Sequence, residues 1–275
     1  MLTLGSMRLP APAVMGVLNV TPDSFSDGGR FDQLDSALRQ AEAMAGDGAA
    51  IIDIGGESTR PGAHGVSEQE ELDRVIPVIK AVRSVTDIPI SIDTSKAQVI
   101  RESVAAGVSL INDVRALREA GALEAAAELQ VPVCLMHMHG VPRTMQQDPV
   151  YADVVAEIAN FLEERVATCV AAGIAEDLIV VDPGIGFGKS PQHNVELLAN
   201  LRQLRVRNLP LLAGVSRKSI LGVLTGREVD ERMPASVAAA VIAVTNGADI
   251  VRVHDVRETV DALRVAKAVM EAGNE

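Results

Sequence analysis

Eight short apolar runs in the sequence each end on side chains that can bind a ligand or take part in chemistry. These side chains carry carboxylate, amide, hydroxyl, imidazole or guanidinium groups: Asn19, Asp53, Asp93, Asn112 with Asp113, His137, Asp182, Ser216, and Arg252 with His254. Asp, Asn and Ser favour turns and helix caps, which would explain one or two of these positions. Eight are better explained by one polar pocket at the ends of neighbouring strands.

Basic residues accompany these run ends, although the chain as a whole has a net charge of −12. They are Arg60, Lys218, Arg252 and His254. A guanidinium donates two parallel hydrogen bonds to a diphosphate or carboxylate, and an ammonium supplies a compact charge. Any one of these residues alone could equally form a surface ion pair. Together they predict a small anionic ligand, whereas the acidic total argues against general nucleic-acid binding.

Two glycine-rich segments lie beside the same run ends. The segment Asp182–Lys189 has neither the GxxxxGK[ST] spacing of a P-loop nor the GxGxxG spacing of a dinucleotide site. It can be a plain turn, or a turn that brings the backbone and Phe187 close to a ligand. The segment Asp53–Ser58 can likewise be only a tight exit from a strand.

The runs that position these side chains alternate with longer, Ala-rich segments of helical period. This alternation is typical of parallel strands joined by crossover helices. Glycine marks several predicted helix ends. The predicted strands are Val14–Val20, Ala50–Ile54, Pro89–Asp93, Leu110–Val114, Val131–Met138, Leu178–Asp182, Pro210–Val215 and Ile250–His254. The predicted helices are Gln33–Ala45, Glu68–Val85, Ser95–Ala106, Arg118–Leu129, Tyr151–Ala172, Gln192–Leu204, Ala235–Asn246 and Val256–Glu271.

Eight strands with helices between them predict an α/β fold, a (β/α)8 TIM barrel forming a single domain over residues 1–275, with an open doubly wound sheet as the alternative. With 2% aromatic residues and no Trp, the core must consist of Ala, Val, Ile and Leu. Cys134 and Cys169 lie in apolar or helical runs and are expected to be buried and reduced. We expect neither a signal peptide nor a membrane span, and we predict a cytoplasmic protein.

The polar run ends and their flanking residues form a set of motifs that resembles the bacterial dihydropteroate synthases, the family that sulfonamide drugs target. The order and spacing of the motifs cover nearly the whole chain, and the set is far more specific than any one member. The matching stretches are Met15–Gly29, Asp53–Gly62, Ser91–Thr94, Asn112–Val114, Met136–Met138, Asp182–Lys189, Gly214–Ser219 and Arg252–Asp255.

The resemblance implies that a dihydropterin diphosphate and p-aminobenzoate condense to 7,8-dihydropteroate, with diphosphate leaving first and the arylamine capturing the pterin cation. It implies a pterin site made of Asp93, Asn112, Met136, Asp182, Lys218 and Arg252. The diphosphate would be held by Asn19, Arg252 and His254, with Mg2+ as cofactor and Asn19 as its protein ligand. The p-aminobenzoate site would comprise Thr59, Arg60, Pro61, Phe187, Ser216 and Lys218.

The catalytic residues implied by the resemblance are Lys218, Arg252 and Asp93, and closure of the first loop would involve Asp23 and Phe25. The family is commonly homodimeric, so a homodimer is expected. Two other interpretations stay open at this point: a pterin-binding paralogue without activity, and a methyltetrahydrofolate methyltransferase. A methyltransferase would have no use for a diphosphate site, and a silent copy would be free to lose its loop residues. No role is predicted for His64, His139 or His193, and His137 is expected to be as much a packing residue as a ligand.

Overall fold

The computed structural model describes residues 1–20, 30–58, 65–140, 145–146 and 149–272. Eight strands, numbered β3 to β10 along the chain with the ranges given at the end of this paragraph, form a parallel sheet. Their order in the sheet is β8-β7-β6-β5-β4-β3-β10-β9. A parallel bridge between Val181 and Leu211, with the Val181 amide donating to the Pro210 carbonyl at 2.9 Å, joins the two ends of this order. The sheet is therefore closed, and the predicted (β/α)8 barrel is confirmed. The strands are β3 (Ala13–Asn19), β4 (Ile51–Gly55), β5 (Ile90–Asp93), β6 (Leu110–Asp113), β7 (Val133–Met136), β8 (Ile179–Asp182), β9 (Leu212–Gly214) and β10 (Ile250–Val253).

Helices follow the barrel strands, and glycines with left-handed backbone end several of them. Gly48, Gly107, Gly173 and Gly247 have φ values of 95°, 111°, 99° and 112°, which only glycine adopts without strain. The helices of the described residues are α1 (Arg30–Gly46), α2 (Glu68–Val85), α3 (Ala97–Ala105), α4 (Ala122–Leu129), α5 (Val154–Ala171), α6 (Pro191–Ala199), α7 (Ser219–Thr225), α8 (Met233–Thr245) and α9 (Val256–Ala272).

The elements differ from the predicted ones at several places. An antiparallel hairpin of β1 (Leu2–Leu4) and β2 (Met7–Leu9) precedes the barrel and was not predicted. Helix α7 was also missed, since it is short and contains Gly222, against which the Arg232 guanidinium packs. The predicted helix Gln192–Leu204 stops at Ala199 and continues as a 3-10 turn.

Helix α4 begins four residues later than predicted, at Ala122. Ala116 and Leu117 have φ values of 54° and 57°, and Gly121 has a φ of 76°. Left-handed backbone cannot continue a right-handed helix, so the segment before Ala122 is a series of turns. The Asp113 carboxylate caps these turns, because it accepts hydrogen bonds from the Arg115 and Leu117 amides at 2.8 Å each.

Side chains alternate along the barrel strands between the inside of the barrel and the surrounding helices. Outward residues such as Ile52, Ile92 and Val181 pack in the large Ala-, Val-, Ile- and Leu-rich core beneath the helices. A smaller apolar layer fills the lower interior, and the hairpin residues Leu2, Leu4 and Leu9 pack against it. That layer consists of Ala13, Met15, Ile51, Leu110, Cys134, Val180, Leu212 and Ile250.

Both cysteines are buried free thiols, as predicted. Burial raises the pKa of Cys134 well above its usual range and that of Cys169 to about 11. Among the described residues, no helix has the length and apolar character that crossing a membrane requires.

Candidate functional site

The next inward row of the barrel, toward the strand ends, is polar. Asp53, Asp93, Asn112, Asp182 and Arg252 each lie two residues beyond an inward position on their own strand, and Asp93 is in register with Asn112 on the neighbouring strand. Since side chains repeat every second residue along a strand, these five groups point into one mouth. The predicted convergence of polar strand ends therefore holds for all five.

Asp53 lies at the centre of this mouth and is fully buried. One of its carboxylate oxygens, Oδ2, accepts a hydrogen bond from Arg252 Nε at 2.6 Å and another from Asn112 Nδ2 at 3.3 Å. The other, Oδ1, has no hydrogen-bond partner among the described residues. Asp53 thus orients two groups assigned to the pterin site, although it was predicted only as one of the polar run ends and without a role toward a substrate. Its inward position, two residues after Ile51, was the available signal.

Asp93 shares the same arginine. Arg252 Nη2 donates to Asp93 Oδ2 at 2.9 Å, whereas the buried Asp93 Oδ1 has no partner in the described part of the chain. Burial raises the pKa of Asp93 to about 7. The positive charge of Arg252 opposes this rise, and the negative charge of Asp53 adds to it. Arg252, between two carboxylates, has a pKa above its ordinary value although burial opposes this. One Asp93 oxygen is therefore available for a ligand N–H group.

Asn19 ends β3 beside this pair. It is in register with Gly55 of β4, which in turn is in register with Asp93 of β5. A Cβ atom built on Gly55 would lie 3.8 Å from Asn19 Oδ1 and 3.8 Å from Asp93 Oδ2. Gly55 therefore leaves open the space between an amide oxygen and a carboxylate.

Lys218 enters the mouth from the opposite side, after β9. The preceding Arg217 has a φ of 57°, and Asp255 and Ser236 hold it there through its guanidinium and its amide. Such a left-handed non-glycine residue is uncommon and turns Lys218 inward. Lys218 Nζ donates to the Ile185 carbonyl and lies 4.5 Å from the Phe187 ring centroid. Burial lowers the pKa of Lys218 to about 8, although Asp182 opposes the shift.

Asp182 is the last residue of β8, and Phe187 lies in the turn that follows this strand. Asp182 is buried, and its Oδ1 accepts a hydrogen bond from the Gly184 amide at 2.7 Å. Burial raises the pKa of Asp182, and the Lys218 charge acts against that rise. Phe187 packs against a small apolar cluster that lines the mouth beside Asp182. This cluster consists of Val114, Met136, Met138 and Met145.

Ser216 and His254, which were assigned to different substrates, contact each other. The Ser216 hydroxyl lies 3.0 Å from His254 Nδ1 and accepts a hydrogen bond from the His254 amide at 3.2 Å. The hydroxyl can donate to an unprotonated Nδ1 or accept from an Nδ1–H group, so it contacts the ring in either tautomer. Ser216 thereby fixes the orientation of the His254 ring.

The segment that follows β4 is anchored by a partly buried charge cluster. Lys96 Nζ donates to the carboxylates of Glu57 and Glu71, and Arg74 donates to the Gly56 carbonyl at 2.7 Å. Burial alone would lower the pKa of Lys96, but its two carboxylate partners raise it. The predicted loop residues Asp23, Phe25, Thr59, Arg60 and Pro61 lie outside the described residues.

His137 follows β7 and serves in packing. Its ring is buried, stands edge-on to Phe161 at 4.8 Å between centroids, and lies with Nδ1 3.0 Å from Lys189 Nζ. Burial, with Lys189 acting in the same direction, lowers its pKa to about 2. His137 therefore stays neutral, and Lys189 is a buried residue for which no role was predicted from the sequence.

Comparison with known proteins assigns this site to a family. The sequence profile described as "Pterin binding enzyme" matches residues 15–254. Dihydropteroate synthase of Escherichia coli K12 is 55% identical over 267 residues, covering 97% of this chain and 95% of that protein. A crystal structure of Yersinia pestis dihydropteroate synthase with a sulfonamide drug is 54% identical, with a TM-score of 0.93 over 98% of this chain and 99% of that one.

A third relative has been solved with ligands of the reaction. A structure of Xanthomonas albilineans dihydropteroate synthase with 4-aminobenzoic acid is 52% identical with a TM-score of 0.91, covering 96% of this chain and 95% of that one. A structure of the Xanthomonas albilineans enzyme in complex with 7,8-dihydropteroate has a TM-score of 0.87 with the same coverage, at 48% identity. These relatives are synthases and not methyltransferases. From the profile match and the similarity to these synthases, the chain belongs to the pterin-binding enzyme family and, within it, to the dihydropteroate synthases.

Proposed function

We propose that this chain joins p-aminobenzoate to the methylene carbon of a 6-hydroxymethyl-7,8-dihydropterin diphosphate, releasing diphosphate and 7,8-dihydropteroate. The observation that supports it most directly is the single mouth in which three carboxylates, an amide, an ammonium and a guanidinium face inward. A pterin edge offers N–H donors together with carbonyl and imine acceptors, which is the complement of that set. A similar protein with 7,8-dihydropteroate bound supports the same reaction.

In this proposal the pterin lies at the strand ends of β5, β6 and β8. The unpaired Asp93 Oδ1 and the Asp182 carboxylate accept from pterin N–H groups, and Asn112 adds an amide. Met136 packs against one face of the ring, and Arg252 covers the other with its guanidinium. Asp53 then acts through Asn112 and Arg252 without touching the ligand.

The bond that breaks joins the methylene carbon to the diphosphate oxygen, and its electron pair leaves with the diphosphate. The carboxylates of Asp93 and Asp182 stabilise the positive charge that develops on the pterin, while Arg252 and His254 bind the departing anion. The lone pair of the arylamine nitrogen then forms the C–N bond, and that nitrogen loses a proton. An aniline nitrogen is already nucleophilic, so no general base is assigned.

The arylamine site is proposed beside the pterin, between the turn that carries Phe187 and the loop that carries Ser216. Lys218 lies between the two sites, because its ammonium contacts the Phe187 ring face and is attracted by Asp182. Thr59, Arg60 and Pro61 would complete this site, with Asp23 and Phe25 in the loop that closes over it. Closure would exclude water, which would otherwise capture the cation.

Magnesium is part of the proposal, with Asn19 as the protein ligand. Among the described residues, no three His, Cys, Asp or Glu side chains are grouped as metal ligands. An amide oxygen at the open space above Gly55 fits an ion that keeps most of its waters and takes its other ligands from a diphosphate. When bound, Mg2+ would neutralise charge on the leaving diphosphate.

The proposed reaction is tested by incubating the protein with the pterin diphosphate and p-aminobenzoate and measuring diphosphate and dihydropteroate. We expect equal amounts of both products, and loss of turnover on chelation with EDTA that added Mg2+ restores. Diphosphate release that needs no arylamine would contradict the condensation. Full turnover in EDTA would contradict the magnesium proposal alone.

The pH dependence of kcat/KM for the pterin diphosphate should be bell-shaped. Below about pH 7 Asp93 becomes protonated and loses its attraction for the pterin cation, and above about pH 8 Lys218 loses its charge. The maximum is therefore expected between these two values. Phosphorus NMR of the free substrate separates its own ionisation from that of the protein. A flat profile from about pH 6 to pH 9 would contradict these assignments.

We also infer a homodimer and a cytoplasmic location. Apolar side chains are exposed on three successive helices: Val223 and Leu224 on α7, Ile242 on α8, and Val265 and Val269 on α9. Exposed apolar groups on neighbouring helices are typical of an interface. Sedimentation velocity checks the dimer. The two buried free thiols are consistent with a reducing compartment.

A further inference from the structure

The turn after β8, residues 184–188, is held by side chains at every one of its carbonyls. Lys189 donates to the carbonyls of Gly184 and Phe187, and Lys218 donates to that of Ile185. Gln146 Nε2 donates to the Gly186 carbonyl, and the Tyr151 hydroxyl donates to the Gly188 carbonyl. A turn at the rim of a barrel normally leaves most of these groups to water. This turn is instead fixed by the protein.

Lys189 makes the largest contribution to this arrangement. It is only 2% exposed, and its ammonium lies 2.9 Å from the Gly184 carbonyl, 2.8 Å from the Phe187 carbonyl and 3.0 Å from His137 Nδ1. An ammonium has three hydrogens, and each of them finds one of these acceptors. No carboxylate among the described residues forms an ion pair with Lys189.

A buried ammonium without a carboxylate in contact is costly, since only neutral groups form hydrogen bonds that offset the desolvation of the charge. Burial and the charge of Lys218 both lower the pKa of Lys189, and Asp182 opposes them. His137 serves as a neutral acceptor, because its own pKa is about 2. A residue needed only to fill this space could be methionine, which has no charge to desolvate.

The turn also lies tightly against the segment after β7. A Cβ atom on Gly184 would come within 1.9 Å of the His137 carbonyl oxygen, and one on Gly188 within 2.8 Å of the His139 carbonyl oxygen. Both glycines have left-handed backbone, with φ values of 66° and 65°. Lys189 therefore joins the two segments that border the pocket: it binds the turn after β8 through the Gly184 carbonyl and the segment after β7 through His137.

The turn contacts Asp182 and contains Phe187, which are both assigned to the proposed substrate sites. Its first amide, on Gly184, donates to Asp182 Oδ1, and the Phe187 ring faces Lys218 Nζ. A shift of the turn would move Phe187 directly, whereas Asp182 is also held by β8. Loss of the Lys189 hydrogen bonds should therefore affect the arylamine site more than the pterin site.

We propose that Lys189 is a positioning residue: its buried ammonium holds the turn in the arrangement that presents Phe187 to the arylamine, without touching either substrate. This inference rests on the proposed reaction and on the place of Phe187 beside p-aminobenzoate. It assigns a role to the lysine that ends the Gly-Ile-Gly-Phe-Gly-Lys segment, which the spacing of phosphate-binding loops left unexplained.

The test compares Lys189→Met, which keeps the length of the stem but removes all three donors, with the wild-type protein. We expect the KM for p-aminobenzoate to rise about tenfold or more and the KM for the pterin diphosphate to change less than about threefold. Amide hydrogen exchange of peptides covering residues 183–190 in the free protein should become faster. Lys80→Met, on the exposed side of α2, is the matched control and should change none of these quantities.

Lys189→Gln is the conservative variant, because its amide can donate to two of the three acceptors, and it should restore part of the arylamine KM. Unchanged exchange and unchanged KM values in Lys189→Met would overturn the proposal. A lower kcat with both KM values unaltered would also overturn the proposal, because it would mean only that a smaller fraction of the variant is folded.

Should Lys189→Met fail to fold, Lys189→Gln provides the measurement. Faster exchange of the Gly186 and Phe187 amides in this variant than in the wild type supports the proposal, and unchanged exchange with an unchanged KM for p-aminobenzoate overturns it. The exchange experiment needs no turnover. A failure of the proposed reaction would instead appear as a wild-type protein that has a protected turn and forms no dihydropteroate.

Discussion

Lys218→Ala is expected to lower kcat/KM for both substrates by about a thousandfold, since losing a buried charged hydrogen-bond partner costs about 4 kcal/mol. Both substrates should be affected because the ammonium lies between the Phe187 ring and Asp182. Steady-state kinetics with each substrate varied in turn measures the effect. The free energy of unfolding should change little, because the hydrogen bond from Lys218 to the Ile185 carbonyl is lost together with the cost of burying the ammonium charge.

Lys80→Ala provides the matched control for this substitution, since it removes an exposed ammonium from α2. Turnover of Lys218→Ala within about threefold of the wild type would contradict the place of Lys218 in the pterin and arylamine sites. A loss confined to the arylamine KM would instead move Lys218 wholly into the second site.

The barrel could be predicted because the apolar residues of the sequence follow the periods of strands and helices. Apolar runs such as Ile51–Gly55 and Ile179–Asp182 are bounded by turn residues, and the helices between them end at glycines. The elements that were missed have weak local signals. Strands of three residues, as in the hairpin, and the seven-residue α7 are too short to show a period, and contacts with the barrel stabilise them.

The inward polar row could also be predicted, although its internal connections could not. The alternation that places Asp93 and Arg252 inside the barrel places Asp53 there as well, two residues after Ile51. The sequence does not reveal that Asp53 is the acceptor for both Arg252 and Asn112. These residues lie 199 and 59 positions away along the chain, so only closure of the barrel brings them together.

Lys189 shows a different limit. Its neighbours in sequence indicated a plain turn or a turn that brings the backbone and Phe187 close to a ligand, and neither interpretation gives the lysine a role. The structure buries it because His137, 52 residues earlier, and two carbonyls of its own turn surround the ammonium. Acceptors of this kind belong to the backbone and to a neutral ring, so no charge pattern in the sequence marks them.

Arg252→Met should produce the other large loss, in activity and in stability together. It leaves the carboxylates of Asp53 and Asp93 buried without their shared cation, which should reduce the free energy of unfolding by about 3–5 kcal/mol. It also removes the group proposed to cover the pterin and bind the diphosphate, so kcat/KM should fall by at least about a thousandfold. Urea unfolding and steady-state kinetics measure the two losses.

A second substitution separates the two losses. In Arg252→Met with Asp53→Asn, the inner carboxylate loses its charge, so the stability lost in the single variant should be partly recovered while activity stays low. Arg264→Met, which removes an exposed arginine of α9, should be neutral in both measurements. If the double variant recovered activity along with stability, Arg252 would be a structural counter-ion only. Recovery of stability alone would mean that Asp53 is kept buried and charged in order to hold Arg252 where the diphosphate departs.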